Sequence, residues 1–133
     1  AARNEVVAFQ VIVEADGKLP ASLSKSWVTG MLRGQNEFGG VVITDDLEMG
    51  AIRDLYSLEQ TVKLAVMAGV DVLLFSNTAD YDPQLGRRVR DIIVEAAEND
   101  PDFRAQVERS YERIRLLKVK LAAERFAAAQ RAG

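Results

Sequence analysis

The chain has 133 residues, 48% of them hydrophobic and 28% charged, which is the balance of one globular domain and not of a disordered segment. Its net charge of −3 argues against a nucleic-acid partner, because nucleic-acid binding rests on clustered Lys and Arg. The absence of Cys excludes disulfides and thiolate catalysis. The absence of His removes the commonest general base and the commonest transition-metal ligand.

No stretch of the sequence reaches the roughly 18 consecutive apolar residues of a membrane span. The N-terminus also lacks the basic and then apolar pattern of a secretion signal. The sequence therefore predicts no membrane partner and favours a cytoplasmic location. The chain opens with Ala1 and not Met, which is compatible with the loss of an N-terminal part.

The first half of the chain predicts a strand, a helix and a second strand. Residues 5–13, EVVAFQVIV, form an apolar run rich in β-branched residues, typical of a buried strand. Ser24 is positioned to cap a helix that ends near Gly34. Residues 39–44, GGVVIT, predict a second buried strand. The helix between the strands is expected to bury Trp27, Val28, Met31 and Leu32.

The second half continues the alternation. Ser57 and Gln60 have the spacing of a capping box, and the helix that they open closes at Gly69. Residues 70–75, VDVLLF, predict a third buried strand. The apolar residues of that helix recur at helical spacing and predict its buried face: Leu58, Val62, Ala65 and Val66.

Two further helices are predicted after the third strand. Asp82-Pro83 opens one that runs to about Ala97, and Asp100-Pro101 opens another. The tail at residues 122–133 is Ala-rich and is expected to fray or to leave the fold. The last helix carries an apolar stripe that needs a surface to pack on: Phe103, Val107, Tyr111, Ile114, Leu117 and Leu121.

Strands that alternate with helices predict an α/β fold with parallel strands joined by right-handed crossovers. Three strands are too few to close a barrel. The pattern alone leaves open a small open sheet or a piece of a larger fold.

Reactive groups of parallel α/β folds lie at the carboxyl ends of the strands, here residues 14–19, 45–50 and 76–82. Asp45 and Asp46 directly follow a predicted strand, where a carboxylate can attack the anomeric carbon of a sugar. The alternative is that one of them caps a short helical turn beginning near Leu47, which spacing alone favours because Asp is a preferred N-cap.

Two other kinds of site are disfavoured at these loops. Their several carboxylates repel phosphate, and no glycine-rich turn is present to bind it. A Mg²⁺ or Ca²⁺ site is a better rival, but the spacing of a calcium loop is missing, so no metal is predicted. Met49 either lines the pocket or plugs the end of the strand.

Three stretches carry a resemblance: LPASLSKSWVTGMLR at 19–33, GGVVITDDLEMGAI at 39–52 and AGVDVLLFSN at 68–77. They resemble the late-barrel region of bacterial β-N-acetylhexosaminidases of glycoside hydrolase family 3. The resemblance implies that residues 1–133 are the C-terminal portion of the catalytic domain. The implied fold is a partial (β/α)8 TIM barrel, the last three βα units plus a C-terminal helix, since a full barrel takes about 250 residues.

The resemblance also implies a function. The first Asp of the family's Thr-Asp-Asp motif is the nucleophile, and Asp45 stands at that position. The implied reaction is the retaining removal of terminal β-linked N-acetylglucosamine from cell-wall-type saccharides, with a small carbohydrate as substrate and no cofactor or metal. Asp46, Met49 and Gln10 are the expected substrate-binding residues, Gln10 standing where the family commonly has a His.

The chain departs from the family's pattern in ways that leave a second function open. It has no His for the family's acid/base dyad, and Phe38-Gly39-Gly40 replaces Phe-Asp-Gly before the nucleophile strand. We therefore expect the chain to be inactive alone, and the alternative is a catalytically silent barrel fragment that acts as a binding or assembly module. Uncovered parallel edges predict a homo-oligomer or a complex with a complementary barrel half.

Overall fold

The computed structural model describes residues 19–78 and 80–132. The strand predicted over residues 5–13 and the predicted site residue Gln10 lie outside this part of the chain. The described elements are, in order, a 3-10 turn Ala21–Leu23, a π-helix Ser26–Gln35, β1 Ile43–Asp46, α1 Gly50–Arg53, α2 Leu58–Ala68, β2 Val72–Leu74, α3 Leu85–Asn99 and α4 Pro101–Ala132.

The two described strands pair in parallel, which confirms the predicted α/β character. Ile43 is aligned with Val72 and Asp46 with Leu74, so β1 carries one more residue than β2 between these partners. The buried Thr44 hydroxyl accepts a hydrogen bond from the Leu74 N–H at 2.9 Å. This side-chain bond links the two strands at the point where the register of the ladder shifts.

Both strands are shorter than predicted, and β1 begins later than residue 39. The carbonyl of Val42 accepts from the N–H groups of Asp71 and Val72, and the paired strand itself starts only at Ile43. Asp45 and Asp46 therefore belong to the last half of β1 and do not follow it.

The first helix differs from the α-helix that its sequence predicts. It is a π-helix, in which the N–H of Asn36 reaches back to the carbonyl of Met31 at 2.9 Å. A π-turn holds more residues than an α-turn, so the 3.6-residue spacing no longer brings every apolar residue to the core. Val28 is buried as predicted and Trp27 half-buried, but Met31 is 37% exposed, so its predicted burial is wrong.

Helix α2 forms as predicted and lies at the centre of the fold. Its capping box is present, with Ser57 accepting from the Gln60 N–H, and Gly69 ends it in the left-handed conformation. Val62 and Ala65 on this helix are completely buried. Three clusters pack around α2: Leu23, Leu47, Ile52 and Ala65; Val28, Ala68 and Val70; and Val66, Ala96 and Phe103.

The last two helices begin close to the predicted Asp-Pro pairs. The Asp82 carboxylate accepts from the Gln84 N–H just before α3, and the Asp100 carboxylate accepts from the first N–H groups of α4. Helix α4 remains helical to Ala132, so the tail continues the helix, and its fraying stays a prediction. Among the described helices, including this long one, none is apolar over enough of its length to cross a membrane.

The predicted apolar stripe of α4 is covered only in its first half. Phe103 is buried and Ile114 half-buried, whereas Tyr111 is 63% exposed. Further along, Leu117 and Leu121 are exposed as well. Helix α4 packs against α2 and α3 near its beginning, and the later turns extend past these neighbours, which leaves their apolar side chains open.

A buried ion-pair cluster joins distant parts of the chain at the amino end of β2. The Asp71 carboxylate is completely buried and binds Arg33 of the π-helix at 2.6 Å and Arg113 of α4 at 2.8 Å. It also accepts from the Val42 N–H at 2.9 Å. The Arg33 guanidinium further donates to the carbonyls of Gly40 and Gly69, at 2.9 and 3.0 Å.

Within this cluster, the attraction between opposite charges offsets part of the free-energy cost of burying them. Burial lowers the pKa of the Arg33 guanidinium, and the adjacent Asp71 carboxylate acts in the opposite direction. Breaking one partner of such a buried pair leaves a charge without compensation. Asp71 therefore fixes two helices and the approach to β1 around the start of β2.

We expect Gly69→Ala to destabilise the chain by about 1–3 kcal/mol. Gly69 has a φ of 103°, and an added Cβ would lie 2.6 Å from the Thr29 hydroxyl, which itself donates to the Ala68 carbonyl. Urea unfolding measures the effect. Gly39→Ala is the control, because nothing lies within 4 Å of its Cβ, and it should change stability by less than about 0.5 kcal/mol. Equal losses in the two variants would contradict the account.

Candidate active site at the carboxyl ends of the strands

Asp45 is presented to solvent by the end of β1. The strand alternates between faces, so that Thr44 is buried while Ile43 and Asp45 on either side of it are exposed. The Asp45 carboxylate accepts a hydrogen bond from the Asp46 N–H at 2.9 Å. The backbone therefore holds an accessible carboxylate at the edge where parallel α/β folds carry their reactive groups.

Asp46 connects the ends of the two strands. Its Oδ1 accepts from the Glu48 N–H at 3.0 Å and from the Ser76 N–H, beyond β2, at 3.1 Å. The bond from the Glu48 backbone is the main cause that lowers the pKa of the Asp46 carboxyl, and the bonds from Ser76 act in the same direction. These hydrogen bonds therefore favour the ionised form of the carboxylate.

The alternative that an aspartate caps a helical turn near Leu47 applies to Asp46, although the capped structure is a turn and not the start of α1. Its bond to the Glu48 N–H closes a turn of the kind that Asp side chains favour, but α1 begins only at Gly50. The residue before α1 is Met49, which provides no side-chain cap. Of the two aspartates that spacing alone offers as a cap, Asp46 is the one that bonds the backbone of this turn.

Glu48 forms a second connection between the strand ends. Its Oε2 accepts from the Ser76 hydroxyl at 3.0 Å and from the Asn77 N–H. Asn77 has a positive φ of 52°, and its side chain bonds the backbone N–H and carbonyl of Asp82, each at 2.9 Å. These bonds order the loop after β2 against the loop after β1.

Sequence reasoning did not select Glu48, Ser76 or Asn77 as site residues. Their position in polar loops after two strands was the only signal, and it does not show which side chains face each other. Of the selected residues, Asp45 and Asp46 lie together. Met49 is 49% exposed beside them, so it does not plug the strand end.

A cavity of about 310 Å³ is lined by residues of the two loops and of helices α1, α2 and α3. Glu48 and Asn77 form part of its wall, whereas Asp45 does not line it. Over residues 19–78 and 80–132, no three His, Cys, Asp or Glu side chains are grouped to hold a metal ion. The chemistry available at this edge is that of carboxylates, hydroxyls and amides.

Parallel strands with an exposed carboxylate at their carboxyl ends are typical of α/β enzymes that work at this edge. An accessible aspartate can serve there as a nucleophile towards a sugar. The chain belongs to glycosyl hydrolase family 3: the model of the Glycosyl hydrolase family 3 N terminal domain matches residues 3–117. This match confirms the family that the sequence motifs indicate.

Individual relatives agree with this membership. The chain is 33% identical over 118 residues to an "uncharacterized secreted glycosyl hydrolase" of Arthroderma benhamiae, aligning 89% of this chain with 33% of that protein. It is 35% identical over 81 residues to a β-hexosaminidase of Alkalilimnicola ehrlichii, aligning 61% of this chain with 23% of that protein. The chain spans a third or less of the length of these relatives.

A solved structure supports the fold. The β-N-acetylhexosaminidase from Beutenbergia cavernae matches with a TM-score of 0.67 at 36% identity, covering 77% of this chain and 29% of that one. The described part of the chain therefore has the fold of a segment of a family 3 enzyme.

We expect Asp46→Asn to alter how stability depends on pH. The pKa of Asp46 lies below its ordinary value of 3.8, so its ionised form contributes stability above that value and loses it as the pH falls through the lower, folded pKa. At neutral pH, Asp46→Asn should lower the free energy of unfolding by its full amount. Below pH 3.8, the difference between the variant and the wild type should become smaller. Urea unfolding across this range measures it, with the exposed Asp54→Asn as a control for net charge. A loss that is the same at every pH would contradict the expectation.

Proposed function

We propose that the chain is the nucleophile-bearing part of a retaining β-N-acetylhexosaminidase, with Asp45 as the nucleophile. The observation that carries the proposal is the exposed Asp45 carboxylate at the carboxyl end of β1, within the Thr-Asp-Asp sequence. In architecture, the chain would supply the last three βα units of a (β/α)8 barrel and the helix that follows them.

The surroundings of Asp45 support this role. Asp46 and Glu48 accept several bonds from the loop after β2, so both carboxylates act in joining the two loops. Asp45 differs from them because it is exposed, whereas Asp46 and Glu48 are half-buried. A rigid support below an accessible carboxylate is what an oriented nucleophile requires.

The proposed reaction proceeds in two steps. An Asp45 oxygen attacks the anomeric carbon, the glycosidic bond breaks, and the sugar is held as a covalent ester that water then hydrolyses. A retaining mechanism needs a proton donor for the leaving group, with its acidic group about 5 Å from the nucleophile in the usual case. The chain has no His, so the acid/base of the family pattern must come from outside these 133 residues.

The proposed substrate is a saccharide with a terminal β-linked N-acetylglucosamine, as in cell-wall fragments. The names of the relatives support this choice, because two of them are a β-hexosaminidase and a β-N-acetylhexosaminidase. Asp46, Met49 and Gln10 remain the proposed substrate contacts. Asp46 directly follows Asp45 and Met49 is exposed in the loop after β1, whereas Gln10 lies outside the described residues.

The rival proposal is a catalytically silent fragment that binds or assembles with another chain. The observations that favour it are the absence of His and the fraction of the relatives that the chain spans, a third or less. The two proposals differ in whether Asp45 reacts with a sugar.

A mechanism-based 2-fluoro-sugar inactivator tests the nucleophile. We expect mass spectrometry of the digested, labelled protein to place the sugar on Asp45. Asp45→Asn should abolish labelling and lower any turnover by about 10⁴-fold or more, because the attacking oxygen loses its charge. Asp54→Asn, an exposed carboxylate nearby in sequence, should label as the wild type does.

Labelling at another residue would refute the assignment of Asp45. An aryl β-N-acetylglucosaminide assay then separates the two functions. Clear turnover by the purified chain would exclude the silent fragment, whereas no labelling and no turnover, even after the missing barrel part is added, would exclude the hydrolase.

A further inference from the structure

The cavity of about 310 Å³ between the two carboxyl-end loops and helices α1, α2 and α3 has the size and lining of a site for a small ligand. Its volume of about 310 Å³ falls within the range of small-molecule pockets, which starts near 300 Å³. Leu47 and Thr61 in its wall are almost completely buried, so the floor is part of the core. Tyr56 and Phe75 are half-buried against the same core cluster and bring two aromatic rings to the cavity.

The wall is polar but nearly balanced in charge. It contains three carboxylates, Glu48, Asp80 and Asp82, and two guanidinium groups, Arg53 and Arg88. An anion would face an excess of carboxylates. A divalent cation would face two arginines, and among the described residues no three His, Cys, Asp or Glu side chains are grouped to hold a metal ion.

Several of the wall groups are fixed in place. Arg88 binds the Asp82 carboxylate at 2.7 Å, and Asn77 holds the backbone of Asp82 through two bonds. The Glu48 carboxylate is oriented by the Ser76 hydroxyl. Donors and acceptors that are already held by bonds within the protein therefore lie around an aromatic and apolar floor, which lowers the ordering cost of binding.

We propose that this cavity is a second saccharide-binding site, one that binds a neutral sugar without cleaving it. Sugars are neutral, carry hydroxyl groups that both donate and accept, and have apolar C–H faces that pack on aromatic rings. The carboxylates, guanidinium groups and amide of the wall match the hydroxyl groups, and Tyr56 and Phe75 match the apolar face. The inference does not rest on the proposed function, because Asp45 does not line the cavity.

The location suggests what the site would do. Glu48 and Asn77 lie in the wall and also belong to the connection between the two loops at the strand ends. A sugar in the cavity would contact Glu48 and Asn77 of these loops and would not contact Asp45, which does not line the cavity. It would therefore hold a longer saccharide, or a second sugar, next to the two loops at the strand ends.

Nuclear magnetic resonance titration of the full chain with N-acetylglucosamine tests the proposal. We expect amide shifts at Leu58, Thr61 and Arg88, around the cavity. Arg53→Ala should weaken this binding by about tenfold or more, as expected for loss of a charged hydrogen-bond donor. Asp45→Asn should leave it unchanged. Arg90→Ala, which removes an α3 guanidinium paired with Asp91 outside the cavity wall, is the matched control.

Inorganic phosphate serves as the anionic probe and should produce no shifts at these amides. The proposal is overturned if N-acetylglucosamine shifts none of them, if Arg53→Ala binds as the wild type does, or if phosphate gives the same pattern. Binding that Asp45→Asn abolishes would place the sugar at the strand end and also refute the second site. Because the readout is binding and not labelling, its failure is distinguishable from failure of Asp45 as nucleophile.

Discussion

The fold depends on how one buried carboxylate is shared. The Asp71 side chain is completely inaccessible, and two arginines from helices on either side of it in the sequence converge on its two oxygens. The same carboxylate accepts from Val42, which leads into β1. Burying these three charged groups is costly, and the cost is offset only when all of them are in place. The π-helix, the approach to β1 and helix α4 are therefore fixed together, relative to the start of β2.

This arrangement separates stability from chemistry along the strands. The Asp71 cluster lies at the amino end of β2, and Asp45, Asp46 and Glu48 lie at the carboxyl end of β1 or just beyond it. In barrel enzymes the same separation allows loops to vary in function on a constant scaffold. Here the Asp46 and Glu48 carboxylates join the two carboxyl-end loops, and an exposed Asp45 can be positioned without contributing to the core.

The sequence allowed correct prediction of features that depend on neighbouring residues. It did not allow prediction of contacts between residues that are far apart in the chain. The capping box at Ser57 and the left-handed Gly69 follow from short-range chemistry, and the parallel strands follow from alternation with helices. The Thr-Asp-Asp motif indicated the protein family. The π-helix was missed because a helical apolar pattern does not reveal a wider turn. The Asp71 cluster was missed because its partners are 38 and 42 residues away in sequence.

The most direct test of this separation compares the free energies of unfolding of Asp71→Asn and Asp45→Asn by urea denaturation. Both substitutions remove one negative charge and preserve the shape of the side chain. The account predicts a loss of about 3–5 kcal/mol for Asp71→Asn, since two largely buried guanidinium groups lose their counter-charge. It predicts a change of less than about 0.5 kcal/mol for Asp45→Asn, which is exposed. A neutral Asp71→Asn, or an Asp45→Asn that is equally destabilising, would contradict it.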